Sequence, residues 1–227
     1  MLPEISKKFY EFFVQLILII AGVLSALAVD SYRETIQAHK TEKEYLINLR
    51  NSVQSDTLVL KKEIQRTYDK INAIKELIDL SNSPRNLDEK KFDDLVTDVI
   101  MLIRPGFITA VYEELKFTGN FKLIRNNELK TLIISYYINN AIIQEQNDRE
   151  VGIHPTNFLY QLSFDEIEYK TPYDQKRILT SIRDNEAVRT ELLLLQMRTS
   201  FVRGGMIYTS LPRSIELLEK LQAEIDK

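Results

Sequence analysis

Two hydrophobic patterns divide the first 80 residues of the chain. Residues 9–29, FYEFFVQLILIIAGVLSALAV, form a near-continuous apolar run. From Phe12 to Val29 only Gln15 and Ser25 carry polar side chains, and none is charged. A helix needs about 20 mostly apolar residues to cross the hydrocarbon core of a bilayer, and this run just suffices. The second pattern is periodic. Residues 30–80 contain neither proline nor glycine, and apolar positions recur at Val53, Leu60 and Ile74 and, offset by four, at Ile64, Ile71 and Ile78. Thr57 and Thr67 fill the two remaining places of this alternating 4,3 spacing, which is a helical stripe with a seven-residue repeat. Tyr45, Leu46 and Leu49 extend it towards the apolar run. The Lys, Glu, Asp and Gln residues between the stripe positions read as a solvated face. The stripe fits one helix of an intramolecular bundle or an intermolecular coiled coil. One unbroken helix over residues 9–80 and a break near residues 35–41, where the stripe is weakest, both remain open.

The remaining pattern is also helical. Ser81-Asn82-Ser83-Pro84-Arg85 supplies turn chemistry, and Asn86 with Glu89 reads as a capping box. The helix that follows carries Phe92, Leu95, Val96, Val99, Ile100 and Ile103 on one face until Arg104-Pro105-Gly106. Thr109 is placed to cap a short helix through Lys116 that closes at Gly119. Asn127 opens a helix to about Asn147 with Leu129, Leu132, Ile133, Tyr136 and Tyr137 buried, and Ile153-His154-Pro155 interrupts or kinks the chain. Helices are expected over residues 158–168 and 173–183, separated by Pro172. A last long helix from Glu186 includes Leu192 to Leu195 and is punctuated by Gly204-Gly205 and Pro212. It ends in an amphipathic stretch through Ile215, Leu218, Leu221 and Ile225. The expected fold class is all-α: a basic tail (1–8), a transmembrane helix (9–29), a long stalk helix (30–80) and a helical-bundle domain (81–227).

Composition agrees with one anchor and one domain. Of 227 residues, 28% are charged, too many for a polytopic membrane protein, and a net charge of −3 offers no basic field for nucleic acid. The absence of cysteine excludes disulfides, thiolate catalysis and Cys-based zinc sites. Lys7 and Lys8 before the apolar run and Ala26-Leu27-Ala28 at its end outline a signal peptide. However, the run exceeds the usual core of about 7–15 residues, and helical character continues into Asp30-Ser31-Tyr32-Arg33-Glu34, so an uncleaved anchor is expected. Lys7 and Lys8 balance Arg33, Lys40 and Lys43. A short basic tail that stays inside gives a cytoplasmic N-terminus and a periplasmic domain at a bacterial inner membrane. Ala21, Gly22, Ser25 and Ala26 make one face small, and such faces let helices approach closely in lipid. Glu11 and Gln15, one turn apart, are candidates for a polar interface or the mouth of a pore.

Residues 15–34 (QLILIIAGVLSALAVDSYRE) and 44–56 (EYLINLRNSVQSD) resemble the start of an uncharacterised bacterial single-pass membrane-protein family. That family has a basic tail, a glycine-containing membrane helix and an E-Y-L-x-x-L pattern. Residues 110–137 carry a second likeness, in Tyr112-Glu113-Glu114-Leu115-Lys116, Thr118-Gly119-Asn120 and Leu123-Ile124-Arg125-Asn126. Ala-Val-Asp-Ser-Tyr stands where the family often has an amide-rich, Trp-containing end. The family is a domain of unknown function, so the resemblance implies topology and fold and supplies no activity. It makes Tyr112, Glu113, Glu114, Gly119 and Asn120 a candidate interaction segment.

Candidate chemistry is sparse. His39 and His154 have no Cys or carboxylate at metal-ligand spacing, so no metal or cofactor is expected. Asp93-Asp94 and Glu113-Glu114 are adjacent pairs, whose side chains point about 100° apart on a helix and form no shared-proton dyad. Gly204-Gly205 lacks the lysine and spacing of a phosphate loop, and no serine sits in a nucleophile elbow. Arg177, Arg183, Arg189, Arg198, Arg203 and Arg213 read as helix-surface charges. The expectation is a non-enzymatic, membrane-anchored scaffold or accessory subunit that self-associates through its membrane helix and stalk. Its partners would be membrane lipid, further copies of itself and another membrane protein of the same assembly. A pore subunit and a membrane-tethered hydrolase using Glu113 are the alternatives.

Overall fold

The computed structural model describes the backbone of residues 2–161 and 173–227 and the side chains of residues 12–145 and 173–227. The side chains of Glu11, His154 and Pro155, and the expected helix and breaker over residues 162–172, lie outside the described residues. Among those described, the chain is helical with no strand.

Helix α1, Leu2–Asn82, is unbroken for 81 residues, about 120 Å at 1.5 Å per residue. There is no interruption at residues 35–41. Nothing between Gly22 and Pro84 removes a backbone N–H or frees the chain to turn. Six further helices follow among the described residues: α2 (Glu89–Ile100), α3 (Ala110–Phe117), α4 (Asn127–Gln161), α5 (Gln175–Asp184), α6 (Glu186–Gly205) and α7 (Leu211–Ile225). A 3₁₀ turn, Asn120–Leu123, lies between α3 and α4, and a π-helical turn, Met206–Ser210, joins α6 to α7.

The helices stack three hydrophobic clusters along the second half of α1. Nearest the apolar run, Leu46, Leu49 and Val53 pack with Tyr112, Leu115, Ile133, Tyr136 and Leu217 among others. Leu60 meets Ile103 and Met206 in the middle, with Ile64 beside them. At the far end Ile74, Leu77 and Leu80 pack with Phe92, Val96, Ile182 and Leu192, with Ile78 partly buried. One heptad row, Leu46, Val53, Leu60, Thr67, Ile74 and Ser81, is buried throughout. Thr57 and Thr67 fit that apolar setting by donating to their own helix, to the Val53 carbonyl at 2.7 Å and the Ile64 carbonyl at 2.6 Å.

Several local expectations are corrected. The cap position of α2 is Asp88, with no side-chain bond, so the Asn86 capping box does not form. Helix α2 stops at Ile100, because residues 101–109 are drawn along α1. Thr109 precedes α3 without capping it through its side chain, whereas Gly119 does adopt the left-handed conformation (φ 68°) that ends the helix. Helix α4 begins under an Asn126 cap, its Oδ1 accepting the Leu129 N–H at 3.1 Å, and runs through Gly152 and Pro155 to Gln161. Gly204-Gly205 and Pro212 do punctuate the C-terminal helix: α6 ends at Gly205, and Pro212 sits in the first turn of α7 after the π-helical turn. The Leu211 N–H bonds back to the Met206 carbonyl, an i→i−5 register that accommodates Pro212, which has no N–H of its own. The buried face of α7 is Ser214, Leu217, Leu221 and Ile225, with Ile215 exposed.

Candidate functional site

The residues that distinguish this chain all lie on α1, in two blocks of opposite character. In the first block, side chains from Phe12 to Val29 are exposed along the whole run, with Leu24 at 60%. Ala21, Gly22, Ser25 and Ala26 lie on this exposed helix. A Cβ built on Gly22 would meet nothing within 4 Å, and the Ser25 hydroxyl satisfies itself on the Ala21 carbonyl at 2.8 Å. Gln15 is exposed as well. The side chains of residues 30–41 are exposed or half-exposed, and from Glu42 onward the domain takes hold of α1.

The second block contains the largest departure from the sequence reading. Glu42, Asp56, Glu63 and Lys70 belong to the face expected to be solvated, yet all four are buried. They share a heptad row with Leu49 and Leu77, which are also buried. Each grips backbone from a non-helical stretch of the chain. Lys70 Nζ donates to the Met101 carbonyl at 2.7 Å. Glu63 accepts the Arg104 N–H at 3.3 Å and the Arg66 guanidinium at 2.6 Å. Asp56 accepts the Ile108 N–H at 2.9 Å on one oxygen and the Tyr136 hydroxyl at 3.0 Å on the other. Glu42 accepts the Arg125 N–H at 2.8 Å. Residues 101–109 therefore run antiparallel to α1, tied at every second turn. An extended segment pressed on a helix has unpaired amides, and a buried unpaired amide costs about 1–3 kcal/mol; side chains at the right height on α1 meet that need.

Burial governs the titration of this row. Desolvation pushes the Asp56 carboxyl up to about 6, against the opposing pull of the Ile108 N–H and the Tyr136 hydroxyl. Desolvation likewise lowers the Lys70 ammonium to about 8. Tyr136 and Tyr137 are held above the usual phenol range by burial, and next by the Asp56 charge. Around them the aromatic rings are locked together: Tyr112 stacks on Tyr137 at 4.3 Å, and Tyr136 meets Tyr137 edge-on at 5.1 Å.

The candidate interaction segment sits where the two blocks of α1 meet. Tyr112 and Leu115 are buried in the cluster nearest the apolar run. Tyr45 donates to Glu114 at 2.8 Å and accepts from Asn120 at 3.0 Å, so residues 44–56 and 110–137 are in direct contact. Glu113 is on the open side of α3, paired with Lys116 at 3.1 Å. That exposed pair lacks the deep polar surroundings a Glu113-based hydrolase would need. Of the expected stalk positions, Val53, Leu60, Ile71 and Ile74 are buried inside the chain's own domain, and Ile64 and Ile78 are partly so. Val53 and Leu60 have no surface left to offer a second copy. Among the described residues no group of three or more His, Asp or Glu is placed to hold a metal ion. Among the described residues one helix, α1, is long and apolar enough to cross a membrane. Comparison with family models, with curated proteins and with solved structures yields no match, so what can be said of function rests on these residues alone.

Proposed function

We propose that this chain is a non-enzymatic, single-pass membrane protein of the bacterial inner membrane, serving as a scaffold or accessory subunit and self-associating through its membrane helix. One observation carries the reading. A single unbroken helix is exposed over residues 12–29, where it is most apolar, and buried along one face over residues 46–80, where a domain packs on it. So long an exposed apolar surface is stable only outside water, and its length matches a hydrocarbon core. The short basic tail stays in the cytoplasm and the domain lies in the periplasm. Ala21, Gly22, Ser25 and Ala26 give the membrane helix a surface on which a second copy can approach closely.

The test is extraction of the full chain from membranes. Alkaline carbonate leaves it in the pellet and detergent releases it as a species larger than one chain. Release by carbonate contradicts the anchor, and a strictly monomeric detergent species contradicts the self-association.

A further inference from the structure

Residues 30–41 cross about 18 Å between the apolar run and the domain, and neither covers them. Their polarity is nonetheless sorted. At 100° per residue, Asp30, Arg33, Glu34 and Lys40 all fall within about 120° of the helix circumference. The opposite half, about 180° wide, holds Val29, Ser31, Tyr32, Thr35, Ile36 and His39, with no lysine, arginine, aspartate or glutamate. Tyr32 is 68% exposed and Ile36 52%. This uncharged half shares a side of α1 with Ala21 and Ser25 above it. Its row of Tyr32 and His39 continues below into the buried row of Leu46, Val53 and Leu60, winding back about 20° per heptad as a left-handed partner would follow, whereas its row of Val29 and Ile36 meets the exposed Lys43. Because α1 has no break, the phase is carried from one region to the next.

We infer that a second copy of this chain packs in parallel along this face, through Val29, Tyr32 and Ile36, and that the contact ends at Glu42. The inference rests on the membrane-anchored reading above and sets the limits of the contact. Copies held in one membrane present the same residues at the same height, so any charged position on the contact would face its own like charge. Over residues 29–39 only this half of the helix avoids that. Lipid does not account for it: Tyr32 lies at headgroup level, but Ile36 is about 10 Å beyond Val29, past a headgroup layer of roughly 5–8 Å. At Glu42 the seam passes to the chain's own helices, since Leu46 and Val53 are filled by α3, α4 and α7.

The cysteine-free sequence makes the test direct. Full-length variants Ser25→Cys, Ile36→Cys and Glu34→Cys, purified and reconstituted at a low protein-to-lipid ratio, are oxidised with copper phenanthroline and the covalent dimer measured. All three positions are exposed, so none disturbs the core. The expected result is at least five-fold more dimer for Ile36→Cys than for Glu34→Cys, together with dimer for Ser25→Cys. Dimer at Ser25→Cys with Ile36→Cys no better than Glu34→Cys overturns this inference and leaves self-association inside the membrane. No excess at either position overturns both.

Discussion

The two halves of α1 invert the usual rule. The half without charges, residues 12–29, is exposed, whereas the other half buries a face that carries Glu42, Asp56, Glu63 and Lys70. The difference lies in what each half must satisfy. In the domain, connectors 101–109 and 124–126 bring backbone amides and a carbonyl against the helix, and an apolar row there would leave them unpaired. A polar side chain every seventh residue removes that penalty at the cost of its own desolvation, and the raised Asp56 and lowered Lys70 pKa values record that cost. The exposed half has no such demand and can be apolar on all sides, as the proposed membrane anchor requires.

The comparison is broken most strongly by truncating one residue in each half. Leu60→Ala removes a side chain with no exposed surface and should cost about 2–5 kcal/mol in the urea unfolding of the domain. Leu24→Ala, on the exposed half, should leave the domain within about 0.5 kcal/mol. Equal losses would mean that the two halves unfold as one body.

The next effect concerns the polar row. Asp56→Ala leaves the Ile108 N–H and the Tyr136 hydroxyl without their acceptor and should cost roughly 2–4 kcal/mol. Asp56→Asn keeps the shape and separates charge from geometry. The native carboxyl, at about 6, holds its proton more tightly in the folded state than when unfolded. Its contribution is therefore fully present below about pH 4 and lost as pH rises through 6, by roughly 1–3 kcal/mol. Denaturant titrations between pH 4 and 7 should show this slope in the native chain and a flatter curve for Asp56→Asn. An unchanged slope in the variant would assign it elsewhere.

Gly22→Leu should not alter domain stability, since a side chain there meets nothing within 4 Å, but it should shift the detergent-solubilised species towards monomer. Unchanged assembly would leave residues 12–29 as an anchor only. The smallest effect is expected where the halves meet. Tyr45→Phe removes hydrogen bonds to Glu114 and Asn120 at a solvent-facing site and should cost about 0.5–1 kcal/mol in thermal unfolding.

The helical class, the apolar run and the stripe Val53, Leu60, Ile71 and Ile74 were legible because each depends on spacing within one helix. The Gly119 turn was legible because only a residue without Cβ takes that conformation readily. The buried charges were not. Asp56 is 1% exposed because of Ile108 and Tyr136, 52 and 80 residues away, and no local pattern announces such partners. The faint signal is that Asp56, Glu63 and Lys70 stand seven apart, in the row that also holds Glu42, Leu49 and Leu77. Pro155 does not interrupt α4, which runs on through it to Gln161, whereas Pro212 does fall at a boundary, in the first turn of α7 after the π-helical turn at Met206–Ser210. The face through Tyr32 and Ile36 emerged once α1 was known to be unbroken, since only then do residues on either side of 35–41 share a phase.

On the proposed reading the two halves of α1 are shielded by different things, lipid for one and the chain's own helices for the other. The most direct measurement labels Ser25→Cys and Ala73→Cys with a water-soluble maleimide, in full-length protein reconstituted in vesicles and titrated with urea. Both should be unreactive without urea. Ala73→Cys should become reactive as the domain unfolds while Ser25→Cys stays protected. Exposure of both positions in a single transition would contradict the account.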